Sequence, residues 1–279
     1  MMLTGGAASV TTGDLVLYAV DDLVATVTLN RPDRMNALND AMIEQLWAAV
    51  GRACADPEVR VVVLTGAGRA FCAGGDVGGF GGQDPHHLLT KMARPFDMNR
   101  RADYQTRHSL FPAAPKPIVG MLNGATAGLG LLYALFCDIR FAASEAVFTT
   151  AFAKLGLTAE YGTAWILARI VGQANALDLL LSARRVPAEE AQRLGLVNRV
   201  YPLSTLSENT YAYARQMARD CSPRSLRVIK EQVYEAPFQT LAEAVAMANR
   251  DMLVTNMSDD FKEGYRAFLE KRPPRFVER

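Results

Sequence analysis

Residues 123–140 read NGATAGLGLLYALFCDIR. A glycine-spaced opening runs straight into an apolar stretch with no Asp, Glu, Lys, Arg or His before Asp138, the pattern of a tight turn followed by a buried helix. Glycine at a helix start is entropically costly and is kept where something must approach the main chain closely. The stretch therefore predicts a helix whose N-terminus, rather than any acid along it, faces the functional site.

Working outward, IVGML (118–122) reads as the strand that feeds this turn, and RVVVLTG (60–66) as a second buried strand running into another glycine-rich turn, GAGRAFCAGGD (66–76). DLVLYAV and LVATVTL, separated by Asp21-Asp22, read as a hairpin of β-branched strands. From Asn39, a predicted N-cap, Met42, Ile43, Leu46, Trp47, Val50 and Cys54 recur at helical spacing. A further Gly-rich turn, KLGLTAEYGT, leads into the helix AWILARIVG. Beyond about Pro202 the strands stop, and the last helix carries the apolar stripe Phe261, Tyr265, Phe268 and Leu269 behind a Ser258-Asp259-Asp260 cap. This predicts an α/β core over 13–203, a helical region over 204–279 and a flexible tail over 1–12. Residues 78–117 are irregular, the profile of a mobile segment over a site.

Composition narrows the function. A net charge of +1 over 279 residues, half of them hydrophobic, gives no bulk electrostatic case for nucleic acid or an anionic membrane surface. The start, MMLTGGAASVTTGD, lacks the pattern of a secretory signal. No apolar run approaches the roughly 18 residues of a membrane span. The expectation is a cytoplasmic protein. Cys54, Cys72, Cys137 and Cys221 show no paired spacing, so reduced thiols in core packing are expected and no metal site.

Either glycine turn alone is a tight strand-to-helix connection. Two in one α/β core can aim backbone N–H groups at one point and so form an oxyanion hole. A thioester carbonyl that becomes an enolate needs such donors, each worth roughly 2.7–4 kcal/mol in the transition state.

NRPDRMNAL, GAGRAFCAGGD, the NG…AGLG…CDIRFA block, KLGL, ARRVPAEEAQRLGLVNRV and DDFKEGYRAFLEKRPPRF, in that order from about Leu15 to Phe276, resemble the enoyl-CoA hydratase/isomerase family, the crotonase superfamily. The resemblance implies a crotonase-like spiral of ββα units with a C-terminal helical trimerisation region, assembled as a homotrimer or a dimer of trimers. It implies an acyl-CoA thioester substrate, with coenzyme A belonging to the substrate and no separate cofactor. Position by position, it puts the oxyanion amides on Ala73 and on Leu129, where the family usually has Gly. It puts CoA contacts on Arg34, Met35 and Ala37, on Gly74, Gly75, Asp76 and Val77 beside Ala73, and on Phe268 and Lys271 of the last helix.

The departures matter more. The two glutamates of the family's hydratases fall, read without gaps from Asn123, on Leu132 and Phe152, and neither can move a proton. Glu160, in GLTAEYGT, stands where some enoyl-CoA isomerases of the family carry a catalytic Glu. One carboxylate suffices for isomerisation, taking the α proton and returning it at the γ carbon. The leading expectation is therefore isomerase-type chemistry with Glu160 as single acid/base. The alternatives are a hydratase with a non-standard set, in which Glu160 works alone or with a lid His, and an acyl-CoA-binding member without chemistry. Glu160 also reads as a loop Glu capping the next helix. Asp76 reads as fixing its turn, Asp138 as a buried structural carboxylate, Glu145 as exposed, and His86, His87 and His108 as surface or lid histidines.

Overall fold

In the computed structural model, residues 14–76 and 101–277 are described. Two sheets organise the described residues. The larger has six strands in the order β1 (Val16–Asp21), β2 (Val24–Leu29), β3 (Val61–Gly66), β5 (Ile118–Leu122), β7 (Ile139–Ala143), β10 (Arg199–Tyr201). β1 and β2 form the expected antiparallel hairpin, and the other pairings are parallel. Every residue of β3 and β5 is buried, as expected for parallel strands covered on both faces. The smaller sheet is β4 (Ala70–Cys72), β6 (Ala125–Ala127), β8 (Val147–Thr149) and β9 (Val186–Pro187), with β6 parallel to both β4 and β8. Each long strand β3, β5 and β7 turns directly into a short strand of the second sheet, which repeats one strand-turn-strand unit around a spiral.

Nine helices are described: α1 (Asp40–Ala55), α2 (Leu129–Phe136), α3 (Thr163–Val171), α4 (Gln173–Ser182), α5 (Ala188–Arg193), α6 (Leu203–Asp220), α7 (Pro223–Glu235), α8 (Leu241–Asn256) and α9 (Asp259–Glu270). The Asn39 side chain accepts from the Met42 amide at the start of α1, and Ser258 accepts from Phe261 at the start of α9, as the sequence predicts. α6 lies against the large sheet through buried Leu206, Thr210, Ala214 and Ala218. α2, with all eight residues buried, sits in the middle of the core.

Of the 78–117 segment expected to be a mobile cover, residues 78–100 lie outside the described part. Residues 101–117 are built into the core. Tyr104, Arg107, His108, Ser109 and Phe111 are buried, and the Tyr104 hydroxyl donates to the Tyr234 carbonyl at 2.6 Å. The proline-rich irregularity that reads as a loop is anchored by partners on α2 and α7, which are distant in sequence.

Cys72 and Cys137 are buried, Cys54 and Cys221 half-buried, and none forms a disulfide. Burial pushes the Cys72 and Cys137 thiols up to about 12, so they stay protonated and unreactive.

α2 meets β4 at Gly130. A Cβ there would lie 2.2 Å from the Cys72 carbonyl oxygen and 2.7 Å from the Cys72 Cβ. Both neighbours are core, so the helix must move. Gly130→Ala is expected to destabilise the protein by about 2–3 kcal/mol and to lower activity together with stability, as thermal melting and turnover measured on one preparation would show.

Candidate active site

The site grows from the pairing of β4 with β6, which sets the turns after them side by side. Gly74 has φ +104° and Gly128 φ +51°, left-handed conformations that favour glycine. A Cβ on Gly74 would lie 3.0 Å from the Ala127 carbonyl oxygen and 3.6 Å from the Leu129 nitrogen. A side chain on Gly74 would press on the neighbouring turn, whereas at Gly128 the positive φ alone disfavours one.

Strand geometry decides which amides are available. The Ala73 amide donates to the Met35 carbonyl at 2.9 Å, so the sequence-based assignment of the first oxyanion donor to Ala73 is corrected. Leu38 pairs with this strand, donating to the Gly74 carbonyl at 2.7 Å and accepting from the Asp76 amide at 2.8 Å. Gly75, between those two bonds, turns its N–H to the opposite side. Among the described residues the Gly75 N–H has no acceptor. Nor has the Leu129 N–H, at the first position of α2 and one of the four amides a helix leaves unpaired. Two unpaired amides on adjoining turns can hold one oxyanion.

The loop before α1 is tied to these turns. Arg31 pairs with Asp76 at 2.9 Å, so Asp76 does fix its turn. The Cys72 thiol donates to the Asn36 carbonyl at 3.1 Å. Asn36 is fully buried in the left-handed region, φ +56°. Its side chain donates to the Ala67 and Ala70 carbonyls and accepts from the Arg31 amide, a clamp that sequence reading passes over. Of the residues expected around coenzyme A, Arg34, Met35 and Ala37 thus come together with Gly74, Gly75 and Asp76. Val77 lies outside the described residues. Phe268 and Lys271 are exposed at the end of α9.

Leu132 is fully buried and Phe152 nearly so, so neither hydratase position offers a proton-transfer group. Glu160 begins a short 3₁₀ turn before α3. Its carboxylate does not cap that helix. The Glu160 carbonyl accepts from the Thr163 hydroxyl at 2.7 Å, and α3 has no side-chain cap. Burial raises the carboxyl above its ordinary value, as a base needs. Tyr161 is held at φ +51°, ψ +33°, a strained conformation for an aromatic residue. Its ring packs against His108, 4.1 Å between centroids. His108 is buried and its Nδ1 lies 3.0 Å from the Tyr133 hydroxyl, so the expectation of a surface or lid histidine is corrected. Its partner lies on another element, where no local pattern reveals it. His86 and His87 lie outside the described residues.

Beside these groups is a cavity of about 490 Å³, walled by Tyr104, Phe136, Tyr161, Trp165 and Phe238 with Arg107 and His108. Trp165 stacks on Phe238 at 5.7 Å and 16°. Arg169 covers the Trp165 ring at 3.8 Å and Arg101 the Phe238 ring at 3.6 Å. This four-layer column holds the far wall rigid. The size and apolar lining are those of a pocket for a small organic group.

The sequence matches the model of the enoyl-CoA hydratase/isomerase family over residues 20–279. It is 37% identical to a "probable enoyl-CoA hydratase" of Rhodobacter capsulatus, over 95% of this chain and 98% of that one. It is 35% identical to the 1,2-epoxyphenylacetyl-CoA isomerase of Escherichia coli, again over 95% and 98%. The fold superposes on an enoyl-CoA hydratase from a Polaromonas species with a TM-score of 0.85 and 30% identity, covering 94% of this chain and 99% of that structure. With the two-sheet spiral, the adjoining glycine turns and this full-length match, the chain belongs to the enoyl-CoA hydratase/isomerase family of the crotonase superfamily.

Proposed function

We propose that the protein is an enoyl-CoA isomerase-type enzyme in which the Gly75 and Leu129 amides hold the thioester oxygen and Glu160 removes the α proton. The observation that carries this reading is the pair of unpaired amides on touching turns, with a desolvated carboxylate beside the cavity wall. Electron density freed at the α carbon flows to the thioester oxygen, where the amides and the positive end of α2 stabilise it. The loop 31–38 and Gly74–Asp76 take the coenzyme A portion. The aromatic cavity fits a ring-bearing acyl group, the kind named for the Escherichia coli relative.

Isomerisation is favoured over hydration because Leu132 and Phe152 leave no second carboxylate to activate water while the first acts on carbon. A homotrimer or dimer of trimers is part of the same proposal. Leu241, Leu253, Tyr265, Phe268 and Leu269 on α8 and α9, and Met257 between them, are all exposed, more apolar surface than a monomer ordinarily leaves in water. In such an assembly Phe268 and Lys271 would contact coenzyme A.

Purified protein given 3-enoyl-CoA is expected to form the 2-enoyl isomer, and given 2-enoyl-CoA to form little hydrate. Efficient hydration of 2-enoyl-CoA, unchanged in Glu160→Gln, would refute the reading. The pH profile carries a second prediction. The base must be ionised, and burial raises its pKa. Turnover should therefore climb with pH through a midpoint above that of an ordinary glutamate, and this acid limb should vanish in Glu160→Gln.

A further inference from the structure

We propose that His108, oriented by Tyr133, is the second proton-transfer group of this site and delivers the proton that completes double-bond migration. The inference rests on the acyl-CoA reading above and adds a residue outside its carboxylate chemistry.

The placement comes from α2. The helix rises about 1.5 Å per residue, so Tyr133 sits about 6 Å along the axis from the Leu129 amide and Phe136 about 10 Å. Leu129, Tyr133 and Phe136 are spaced by four and three residues and so share one helix face. Phe136 walls the cavity. An acyl group whose oxygen is held at the start of α2 and whose far end fills the cavity runs along this face. The His108 ring stands over it, bonded to Tyr133 at 3.0 Å and itself lining the cavity. Distance from the thioester oxygen grows along the acyl chain, so the γ carbon falls on the His108 side of the α carbon. Tyr161 links the two groups, following Glu160 in the chain and packing on His108 at 4.1 Å. The arrangement places an acid-base pair one residue beyond Leu132, the position from which the glutamate is missing.

In the proposed step Glu160 takes the α proton and the C–H electron pair becomes a dienolate on the thioester oxygen. The Nε2–H of the His108 imidazolium gives its proton to the γ carbon, and the double bond moves from the β–γ to the α–β position. His108 Nδ1–H donates to the Tyr133 oxygen throughout, which fixes the ring. Glu160 has then gained one proton and His108 lost one. Passage of a proton from Glu160 to His108 through water restores both, and the substrate's composition is unchanged. Tyr133 is a positioning residue.

The test follows 3-enoyl-CoA in deuterium oxide, reading loss of the α proton from substrate and deuterium at the γ carbon of product. The unaltered protein is expected to place solvent deuterium at the γ carbon, because the imidazole exchanges with solvent. His108→Gln is expected to lose product formation by about 10²-fold while α-proton loss persists, since Glu160 is intact. Tyr133→Phe, which removes one oxygen, is expected to lose about tenfold in product formation with α-proton loss unchanged, and it carries the test if His108→Gln does not fold. Product formation within about threefold of the parent in the folded variant would overturn the proposal. So would α-proton loss falling in step with product, which marks a merely structural role. No α-proton loss in the unaltered protein would instead overturn the acyl-CoA reading, and the proposal with it.

Discussion

Glu160→Gln is expected to lower isomerisation of 3-enoyl-CoA by about 10³-fold, inside the range for a positioned acid-base group. The oxygen-binding amides and the cavity do not depend on the carboxylate, so KM should stay close to the parent value. Stability should move the other way. Burial raises the folded-state pKa of Glu160, so its contribution to stability is fully present below the unfolded pKa and lost as pH rises through the folded pKa. Above its folded-state pKa the parent carries an ionised, half-buried carboxylate with no hydrogen bond among the described residues, and glutamine removes that charge. Above that pKa the variant should melt no lower than the parent. Any advantage should shrink as the pH falls through the folded pKa. A variant that lost activity and thermal stability together would mark Glu160 as structural.

Lys230→Ala is expected to be the most damaging single change to stability. α7 delivers Lys230 into the core, where its ammonium lies 2.8 Å from Asp138 and donates to the Phe111 carbonyl at 2.9 Å and the Lys116 carbonyl at 3.1 Å. Its side chain is 7% exposed and that of Asp138 15%. Asp138 also accepts from the Ile118 amide at 2.7 Å, so one ion pair joins α7, the end of α2 and the start of β5. Removing the lysine leaves a buried carboxylate without its counter-charge, at a cost of about 3–5 kcal/mol. For a chain of this size the melting midpoint should fall by on the order of 10 °C. Because the pair is coupled, adding Asp138→Asn to Lys230→Ala should recover part of the loss. Strict additivity of the two changes would show that the pair is not a unit.

How far the sequence carries the account depends on whether a feature is local. The Asn39 cap, the β1–β2 hairpin, the buried run of β3 and the glycine turns each rest on neighbours within a few residues, and their residue types announce them. The missing glutamates are equally plain, because Leu132 and Phe152 are read against a motif. The Ala73 expectation fails for a physical reason. Successive amides of a strand face opposite sides, and which side faces the site is fixed by the pairing with Leu38, a partner no local pattern names. The burial of His108 is hidden in the same way, since its partners Tyr133 and Tyr161 lie 25 and 53 positions further along. Asn36 sits inside a stretch that reads as an ordinary proline-broken loop. Only the folded chain shows that it clamps the turn below the site.

The most direct test of an enolate held by two amides and formed by Glu160 uses a saturated acyl-CoA, which has no double bond to move. Incubated with the protein in deuterium oxide and followed by proton NMR, its α protons are predicted to exchange for deuterium with the unaltered protein and to remain with Glu160→Gln. Retention of the α protons with the unaltered protein, or equal exchange with Glu160→Gln, would contradict the account.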